Sequence, residues 1–273
     1  RQLAPFSYDE SAGTLYYVLR LSSGRVVELR LRDAGEGVSV ETEKLEKGER
    51  REVADRVTWM FGLDLDFPRF YAAARGEPKL AHAKKLARGR VLRSPTLFED
   101  VIKTILTTNT LWTATKNMTR KLVNELGEPL SSAGRGTETK AFPTPEAIAG
   151  ASPEFLKERI RVGYRAPAIH RLAVSVASGM LDLESLKTSD LPTLELRKQI
   201  LTLNGVGPYA AANLLLLLGR SDFIPIDSYA LKRVSHEWYG GKPVTAKEVE
   251  KHFERWGEFK GLAYWFWDWD DED

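Results

Sequence analysis

The fold is decided by the stretch Leu203-Asn-Gly-Val-Gly-Pro-Tyr209, which lies between two apolar segments of helical periodicity. Apolar residues recur at helical spacing over residues 194–203 and again over residues 209–218. Glycine and proline in the intervening stretch interrupt the helix and predict a tight turn. The sequence therefore predicts a helical hairpin over residues 194–219.

The predicted turn offers a binding surface made of backbone. Gly205 and Gly207 permit positive φ and allow a foreign backbone to approach closely. Pro208 suits the first turn of the second helix, whose free N–H groups and positive dipole end would face the turn. A nucleic-acid backbone supplies phosphates for such a site without sequence information. The alternative is a tight helix–helix corner in which the glycines only shape the chain.

A single carboxylate follows this hairpin in an apolar setting. Asp227 lies 18 residues after Tyr209, within Phe223-Ile-Pro-Ile-Asp-Ser-Tyr-Ala-Leu231. A carboxylate among apolar residues is costly unless it has partners. Asp227 also has the sequence context of a helix N-cap. Both roles are compatible, because a cap position can hold a carboxylate at the mouth of a cleft.

These motifs resemble the helix-hairpin-helix DNA glycosylase superfamily, through Leu-x-Gly-Val-Gly-x-x-x-Ala and an apolar-Pro-apolar-Asp segment about 18 residues later. Val162-Gly-Tyr-Arg-Ala166 looks like a stretch of the 8-oxoguanine glycosylases. Segments 61–65 and 94–105 look like the first helices of that branch and of the alkylpurine branch. The resemblance implies a helix-hairpin-helix glycosylase fold in which Asp227 is the essential aspartate.

The N-terminal region is predicted to be a sheet. Residues 15–21 are rich in β-formers, residues 26–31 alternate apolar and charged side chains, and a third strand is predicted over 38–42. Farther along, the period of the apolar positions becomes helical. We therefore predict a mainly α protein, α+β overall. Residues 1–48 form a small N-terminal antiparallel β-sheet domain packed on the helical part, and residues 49–273 form the all-helical region.

Composition limits the chemistry. The chain has no cysteine, which excludes a thiolate nucleophile and a cysteine-ligated iron–sulfur cluster. The four histidines show no ligand-like spacing, so neither a catalytic metal nor a required cofactor is expected. No apolar run approaches 18 residues and no signal pattern begins the sequence. We expect no membrane association, a cytoplasmic or nucleoid location, and a monomer.

Charge and aromatic residues are concentrated at the C-terminus. The net charge is +2, and the five acids of residues 268–273 mask a mildly basic body. A basic body suits a polyanion such as double-stranded DNA with a damaged base. The aromatic run Tyr264–Trp269 predicts a terminal helix that buries its rings. The alternative, stacking on single-stranded bases, is opposed by the neighbouring acids, which would repel phosphates.

The resemblance implies a reaction at an N-glycosidic bond. A carboxylate near C1′, here Asp227, would stabilise the oxocarbenium-like sugar and activate water after the base has left the duplex. The lyase branch places a lysine two residues after the second hairpin glycine, where this chain has Tyr209. A phenol cannot form the imine that a lysine forms. We therefore predict a monofunctional hydrolase.

Tyr209 also bears on the substrate. The alkylpurine branch has an aromatic residue at this place, and an electron-rich ring attracts a base made cationic by alkylation. We predict a base pocket that contains Tyr209, Trp112 and Asn213 and that receives an alkylated purine. For Tyr209 the alternative is a buried ring on the first turn of a core helix. For Trp112 a core position is the favoured interpretation.

The resemblance further implies a set of DNA contacts. Ser94 and Pro95 predict the start of a helix, as N-cap and first residue. That helix is interrupted at Thr107–Thr110, where the family places a wedge that fills the gap left by a flipped base. Asn109 matches the plug position, and Leu111 and Trp112 are its neighbours. The predicted DNA-binding residues are Gly205, Val206, Gly207, Tyr209, Asn109, Tyr229 and Arg165, the last with a surface position as the simpler alternative.

Two other expectations concern ions and lysines. Relatives bind a monovalent cation through hairpin carbonyls, which implies a structural Na⁺ or K⁺ at Leu201, Leu203 and Val206. An alternative function is an 8-oxoguanine glycosylase/lyase with a displaced lysine. Its candidates are Lys84, Lys85, Lys103 and Lys116. An alternative of another class is a non-catalytic DNA-binding protein that retains the hairpin.

Overall fold

The computed structural model describes residues 3–131 and 139–269, which fall into two compact units. Unit 1 consists of Arg1–Leu63 and Arg93–Thr188, and unit 2 of Asp64–Leu92 and Ser189–Asp273. The two units do not follow the boundary expected at residue 48. The N-terminal strands share unit 1 with helices, whereas the predicted hairpin lies in unit 2.

Helices dominate the described residues. In chain order the α-helices are α1 Lys47–Phe61, α2 Pro68–Ala73, α3 His82–Lys85, α4 Leu97–Thr107, α5 Trp112–Leu126, α6 Pro145–Ala149, α7 Pro153–Phe155, α8 Ala166–Ala177, α9 Thr193–Leu201, α10 Pro208–Leu217, α11 Ser228–Tyr239, α12 Ala246–Phe253 and α13 Lys260–Trp265. Short 3₁₀ segments are Pro78–Leu80, Gly163–Arg165, Glu184–Thr188 and Glu254–Phe259, and Leu156–Ile160 is a π-helical segment. The predicted mainly α class is confirmed.

A four-stranded antiparallel sheet begins unit 1. Its strands are β1 Ser7–Asp9, β2 Thr14–Arg20, β3 Val26–Asp33 and β4 Val38–Glu41, and they pair in the order β1-β2-β3-β4. The three strands expected from sequence are confirmed. Strand β1 was not predicted, because three residues are too few to show an alternating pattern.

One helix covers this sheet and explains why the sheet is not a separate unit. Val53, Val57 and Met60 of α1 are buried at helical spacing. They share a hydrophobic cluster with Tyr17 and Leu29 of the sheet. A sheet with one apolar face must bury that face against another element, and α1 provides that element.

Helix α4 begins two residues later than predicted. Thr96, and not Ser94, is the N-cap, because its side chain accepts a hydrogen bond from Glu99 N at 3.2 Å. The backbone N–H of Ser94 instead donates to Asp100 Oδ1 at 2.9 Å. Pro95 therefore precedes the helix, and the predicted Ser94–Pro95 start is wrong. The carboxylate of Asp100, which lies within the helix, accepts the hydrogen bond from the backbone N–H of Ser94. This contact holds Ser94 outside the helix, which the prediction did not foresee.

The core of unit 2 is rich in aromatic rings. Trp267 and Trp269 are buried in a cluster with Phe253, Trp256 and Tyr264. The ring centroids of Phe253 and Trp267 are 5.4 Å apart in an edge-to-face arrangement. The prediction that the C-terminal aromatic run is buried is confirmed for residues 264, 267 and 269 and is wrong for Trp265, which is 44% exposed. The helix α13 ends at Trp265, so Trp267 and Trp269 are buried after the helix and not within it. The last four acids, residues 270–273, lie outside the described residues.

No helix among residues 3–131 and 139–269 is long and apolar enough to cross a membrane. Residues 214–217 of the apolar run 214–218 lie within the ten-residue helix α10, and Leu218 is its C-cap. Three of its leucines, Leu214, Leu215 and Leu216, are buried, as expected for a core helix of unit 2.

Candidate active site

The hairpin of unit 2 is closed by short-range backbone hydrogen bonds. Leu203 N donates to Ile200 O and Val206 N donates to Leu203 O, both at 3.1 Å. Leu203 and Val206 are buried, whereas Asn204 and Gly205 between them are exposed. Gly205 has φ +82°, a left-handed conformation that glycine adopts without steric cost. The turn therefore presents its tip to solvent while apolar side chains hold its base.

Gly207 differs from the expectation of positive φ. Its dihedrals are φ −98° and ψ −175°, so it is the extended N-cap residue of α10, which begins with Pro208. A Cβ placed on Gly207 would find no atom within 4 Å. Nothing inside the protein therefore requires glycine at this position. Close approach of an external group remains a reason for a residue without a side chain here.

Asp227 occupies the N-cap of α11, as predicted. Its Oδ1 accepts a hydrogen bond from Ala230 N at 2.8 Å, and its side chain is half-buried. The residues before it are apolar, and Ile224 among them is buried. The cap bond fixes the carboxylate at the start of the helix, where the positive end of the dipole stabilises its negative charge.

Tyr209 and Asn213 lie one turn apart on α10. Asn213 Nδ2 donates to the carbonyl oxygen of Tyr209 at 3.0 Å, so this amide hydrogen-bonds within its own helix. Both residues are half-buried. Tyr209 is thus neither a fully buried core ring nor a fully exposed one, and its role in a base pocket stays a prediction, as does that of Asn213.

The pKa of the buried residue Tyr264 shows which groups lie close enough to Asp227 to share its electrostatic surroundings. Burial raises the pKa of Tyr264, and the negative charge of Asp227 raises it further. Arg233 opposes the shift, whereas Tyr209 and Tyr229 add to it. Three groups of unit 2 therefore share one electrostatic environment, namely Asp227, Tyr209 and Arg233. The sequence did not single out Arg233.

Arg233 is held between two rings of unit 2. Its guanidinium carbon lies 4.4 Å from the centroid of Tyr229 and 5.3 Å from that of Trp269. Tyr229 is 53% exposed, which suits the DNA contact predicted for it. A guanidinium over an aromatic face is favourable and restricts both partners.

The candidate residues of unit 1 surround the turn at residues 107–110. Asn109 has φ +46° and donates from Nδ2 to the hydroxyl of Tyr164 at 3.2 Å. Hydrogen bonding with Thr108 lowers the pKa of that hydroxyl. Leu111 is 80% exposed and Trp112 is 40% exposed, so a core position for Trp112 is wrong. The α4–α5 connection thus carries an amide and exposed apolar side chains, the mixture that a wedge requires.

Arg165 does not have the predicted exposure. It is only 7% exposed, so it is neither a surface arginine nor available as a direct DNA contact. Its Nη2 donates to the carbonyl of Thr108 and, at 3.4 Å, to that of Asn109, and its Nη1 donates to Val162 O at 3.3 Å. Its guanidinium carbon also lies 4.6 Å from the centroid of Tyr164. Arg165 therefore holds the 107–110 turn in place.

The displaced-lysine candidates differ in their surroundings. Lys103 is buried, and its Nζ lies 2.5 Å from Glu99 Oε1 in an i,i+4 ion pair. This pairing makes Lys103 a poor nucleophile, because a Schiff base needs a neutral amine. Lys84 and Lys85 are exposed on α3, and Lys116 is exposed on α5. The structure gives no specific reason to assign any of these exposed lysines to a site.

Sequence reasoning missed Tyr164, Arg233 and Tyr264 as members of these surroundings. Tyr164 lies 55 residues from Asn109, and Arg233 meets Trp269 only through the folded C-terminal segment. Spacing along the chain contains no signal for such contacts. A partial signal existed for Tyr164, because it lies within the Val162–Ala166 motif on which the resemblance depends.

Comparisons with known proteins agree with this geometry. The family model described as "HhH-GPD superfamily base excision DNA repair protein" matches residues 102–259. A DNA-3-methyladenine glycosylase of Bacillus subtilis is 27% identical over 189 residues, 68% of this chain and 61% of that protein. This chain therefore spans less than two-thirds of the length of that relative.

Solved structures extend the likeness of the fold to nearly the whole chain. The 3-methyladenine DNA glycosylase of Archaeoglobus fulgidus has a TM-score of 0.75 at 24% identity, covering 96% of this chain and 88% of that one. The 8-oxoguanine glycosylase/lyase of Clostridium acetobutylicum, in complex with double-stranded DNA, has a TM-score of 0.67 at 18% identity, covering 97% and 98%. The predicted helix-hairpin-helix glycosylase fold is confirmed.

Proposed function

Because the chain belongs to the HhH-GPD superfamily of base excision DNA repair proteins, we propose that it is a DNA glycosylase. It takes a damaged purine, an alkylated one by the resemblance, out of double-stranded DNA and hydrolyses the N-glycosidic bond without a covalent enzyme intermediate. Asp227 is the catalytic residue. The relatives named above act on methylated or oxidised purines by name, and the choice of an alkylated purine follows from Tyr209.

The observation that carries the proposal is the position of Asp227. It follows the α9–α10 hairpin and is fixed by its bond to Ala230 N at 2.8 Å. Oδ1 makes this bond, and no other hydrogen bond to the carboxylate is found among the described residues. The carboxylate can therefore face the sugar, stabilise positive charge at C1′ and accept a proton from the attacking water.

The absence of a covalent step is proposed from Tyr209. This residue has the place, two residues after Gly207, at which the lyase branch has its lysine. Lys103, one of the four displaced candidates, is committed to Glu99. The simplest mechanism for this set of residues is hydrolysis in which Asp227 alone is the catalytic residue and no covalent bond forms between the protein and the DNA.

DNA binding is proposed to use the two sets of candidate residues differently. At the hairpin, the backbone around Gly205, Val206 and Gly207 would bind a phosphate, because helix N-termini offer free N–H groups. In unit 1, Asn109 and the exposed Leu111 would fill the gap that the flipped base leaves. Arg165 would support this turn without touching DNA.

A monovalent cation fits the hairpin but is not required for the proposed chemistry. The carbonyl of Leu203 accepts one hydrogen bond, from Val206 N, and a carbonyl oxygen has a second lone pair for a ligand bond. The carbonyls of Leu201, Leu203 and Val206 would hold Na⁺ or K⁺. When bound, the ion would add positive potential for a phosphate. No further cofactor is proposed.

The proposal is tested with Asp227→Asn on duplexes that contain a single alkylated purine. Asparagine is as good an N-cap as aspartate, so the fold should be preserved. We expect single-turnover base release to fall by roughly 10²–10⁴-fold, with lesion-duplex binding retained. The matched control is Asp222→Asn, five residues earlier in the same connection. Equal yields of abasic sites from wild type and Asp227→Asn would remove Asp227 from the mechanism, and no base release by wild type would leave a non-catalytic DNA-binding protein.

Hydrolysis and lyase chemistry are separated by borohydride trapping. A glycosylase without a Schiff base leaves an intact abasic strand and forms no covalent adduct when borohydride is present during turnover. A trapped protein–DNA adduct on an 8-oxoguanine duplex would refute the monofunctional mechanism. Substitution of each exposed lysine candidate would then identify the amine.

A further inference from the structure

A groove in unit 2 combines positive charge with apolar surface. It lies between α2, the 3₁₀ segment Pro78–Leu80 and α3, and its volume is about 600 Å³. The apolar side chains of Pro68, Tyr71 and Leu80 line it together with two cations, Arg75 and Lys84, and no acid is among its described lining residues. We call it the basic groove. A concave surface with charge of one sign attracts ligands of the opposite sign.

The two cations of the basic groove are available to a ligand. Arg75 and Lys84 are exposed, and the described part of the chain gives neither side chain a salt bridge or a hydrogen bond. Neither residue has a role in the candidate active site. Burial raises the pKa of the groove residue Tyr71, Arg90 lowers it and Asp66 raises it. The charges of Arg90 and Asp66 therefore oppose each other near the groove, and Arg75 and Lys84 supply its net positive charge.

The C-terminal part of the chain is anchored beside this groove. Asp268 N donates a hydrogen bond to Lys79 O at 2.9 Å, and Trp267 and Trp269 on either side of Asp268 are buried. Lys79 directly precedes the groove residue Leu80, which belongs to the same hydrophobic cluster as the two tryptophans. The last described residue, Trp269, is therefore fixed close to the basic groove.

The sequence continues after Trp269 with four consecutive acids, Asp270, Asp271, Glu272 and Asp273. Four residues of extended chain span up to about 14 Å. Lys84 lies five residues after Lys79, which is roughly 9 Å of helical chain, and Arg75 lies four residues before Lys79. Because Asp268 is bonded to Lys79, the four acids are within reach of both cations of the basic groove.

We propose that the acidic residues 270–273 bind in the basic groove of the same chain and shield its two cations from DNA. This inference goes beyond the proposed function, because it concerns a surface apart from Asp227. A short tether supplies the acids at an effective concentration on the order of millimolar, so that weak surface ion pairs suffice. DNA phosphates are the competing anions. Release of the acids adds Arg75 and Lys84 to the surface that attracts a duplex.

The direct test is zero-length cross-linking of the full chain with a carbodiimide, which joins a carboxylate to an amine in contact with it. We expect a cross-link between residues 270–273 and Lys84, with a yield that falls several-fold when salt is raised from about 0.05 M to about 0.5 M. Lys84→Gln should abolish this cross-link. Lys85→Gln removes an exposed neighbour that does not line the groove and should preserve it. A cross-link chiefly to Lys85 or Lys232 would place the acids elsewhere and overturn the inference.

The effect on DNA is tested by neutralising the four acids together, with Asp270→Asn, Asp271→Asn, Glu272→Gln and Asp273→Asn. Affinity for an undamaged duplex should rise about fivefold. The logarithm of the affinity should also fall more steeply with the logarithm of salt, by about two units of slope, because two cations become available to phosphates. The control removes the same charge elsewhere, at the exposed residues Glu10, Glu36, Glu154 and Glu254, each changed to glutamine. It should change affinity by less than about twofold, since exposed charges beyond a Debye length are screened.

A double-mutant cycle separates binding in the groove from general repulsion of DNA. In a chain that carries Arg75→Gln and Lys84→Gln, neutralising the four acids should no longer raise affinity for the duplex. An equal gain in both backgrounds would show that the acids repel DNA without occupying the groove, and the inference would be wrong. Unchanged affinity in the wild-type background would overturn the shielding. Cross-linking requires no base release, so a wild type that cross-links as expected but releases no base refutes only the proposed function.

Discussion

The α9–α10 hairpin and the turn at residues 107–110 both connect two helices, yet they keep their shapes by different means. The hairpin relies on neighbours in sequence, namely Gly205 at φ +82° and a hydrogen bond between Val206 N and Leu203 O. The 107–110 turn relies on Arg165, which lies 57 residues beyond Thr108, whose carbonyl it binds. One connection is encoded locally, whereas the other depends on the rest of unit 1.

This difference indicates how each connection responds to change. A local turn can be altered at one residue without disturbing distant packing, because its hydrogen bonds stay within a few residues. A turn held from a distance loses several hydrogen bonds together when its one donor is removed, and buried carbonyls without donors are costly. In the hairpin, DNA binding and stability should therefore depend on different residues. In the 107–110 turn, a single substitution should change both DNA binding and stability.

The largest expected effect on stability is that of Arg165→Met. Methionine keeps an unbranched apolar stem but removes the donors that satisfy the carbonyls of Thr108, Asn109 and Val162. We expect the free energy of unfolding to fall by about 2–3 kcal/mol. Urea denaturation measures this loss, and binding to a lesion duplex should weaken at the same time.

The matched control for Arg165→Met is Arg161→Met, an exposed arginine four residues earlier in unit 1. Its removal deletes the same charge without removing a donor from the turn, so stability should change by less than about 0.5 kcal/mol. The role assigned to Arg165 would be refuted if Arg165→Met kept full stability and lost only affinity for DNA. That pattern would make Arg165 a direct DNA contact.

The second prediction concerns Asp100 on α4, the helix that leads into the 107–110 turn. Burial raises the pKa of Asp100 to about 7, although the N–H of Ser94 opposes the shift. The stabilising effect of the protonated group is complete below the unfolded pKa of 3.8 and is lost as pH rises towards 7. Wild type should therefore lose stability over this range relative to Asp100→Asn, which cannot ionise.

The measurement is the free energy of unfolding of both proteins at pH 5 and pH 8. We expect the difference, Asp100→Asn minus wild type, to grow by about 1–3 kcal/mol over this interval. Asparagine still offers an oxygen to the N–H of Ser94. The exposed residue Asp190, changed to asparagine, is the control and should show no such growth. A difference independent of pH would mean that Asp100 is ionised throughout.

The same contrast between local and distant contacts explains what the sequence could predict. Helix α5 spans Trp112–Leu126, and its apolar stripe is a local signal that the sequence alone contains. Asp227 could be predicted as an N-cap, since a cap depends on the next three residues. These features need no knowledge of the rest of the fold.

Features that depend on distant residues could not be predicted. The start of α4 was misplaced because Asp100 takes the N–H of Ser94. Burial of Arg165 depends on the 107–110 turn, and the contact between Arg233 and Trp269 joins α11 to the C-terminal segment. In each case a polar side chain has several possible partners, and tertiary packing determines which of them it contacts.

The smallest expected effects belong to the hairpin glycines, and they test directly whether this turn separates binding from stability. Gly205→Ala places a side chain at φ +82° and should cost about 1–2 kcal/mol of stability. Gly207→Ala adds a methyl group to extended backbone with no atom within 4 Å, so stability should be unchanged. If a phosphate approaches Gly207, that methyl group should weaken binding about fivefold on damaged and undamaged duplex alike, a loss of ~1 kcal/mol. Thermal unfolding and fluorescence anisotropy measure the two quantities. Unchanged affinity for Gly207→Ala would show that DNA does not approach this residue closely, and the glycines would then serve only to shape the turn.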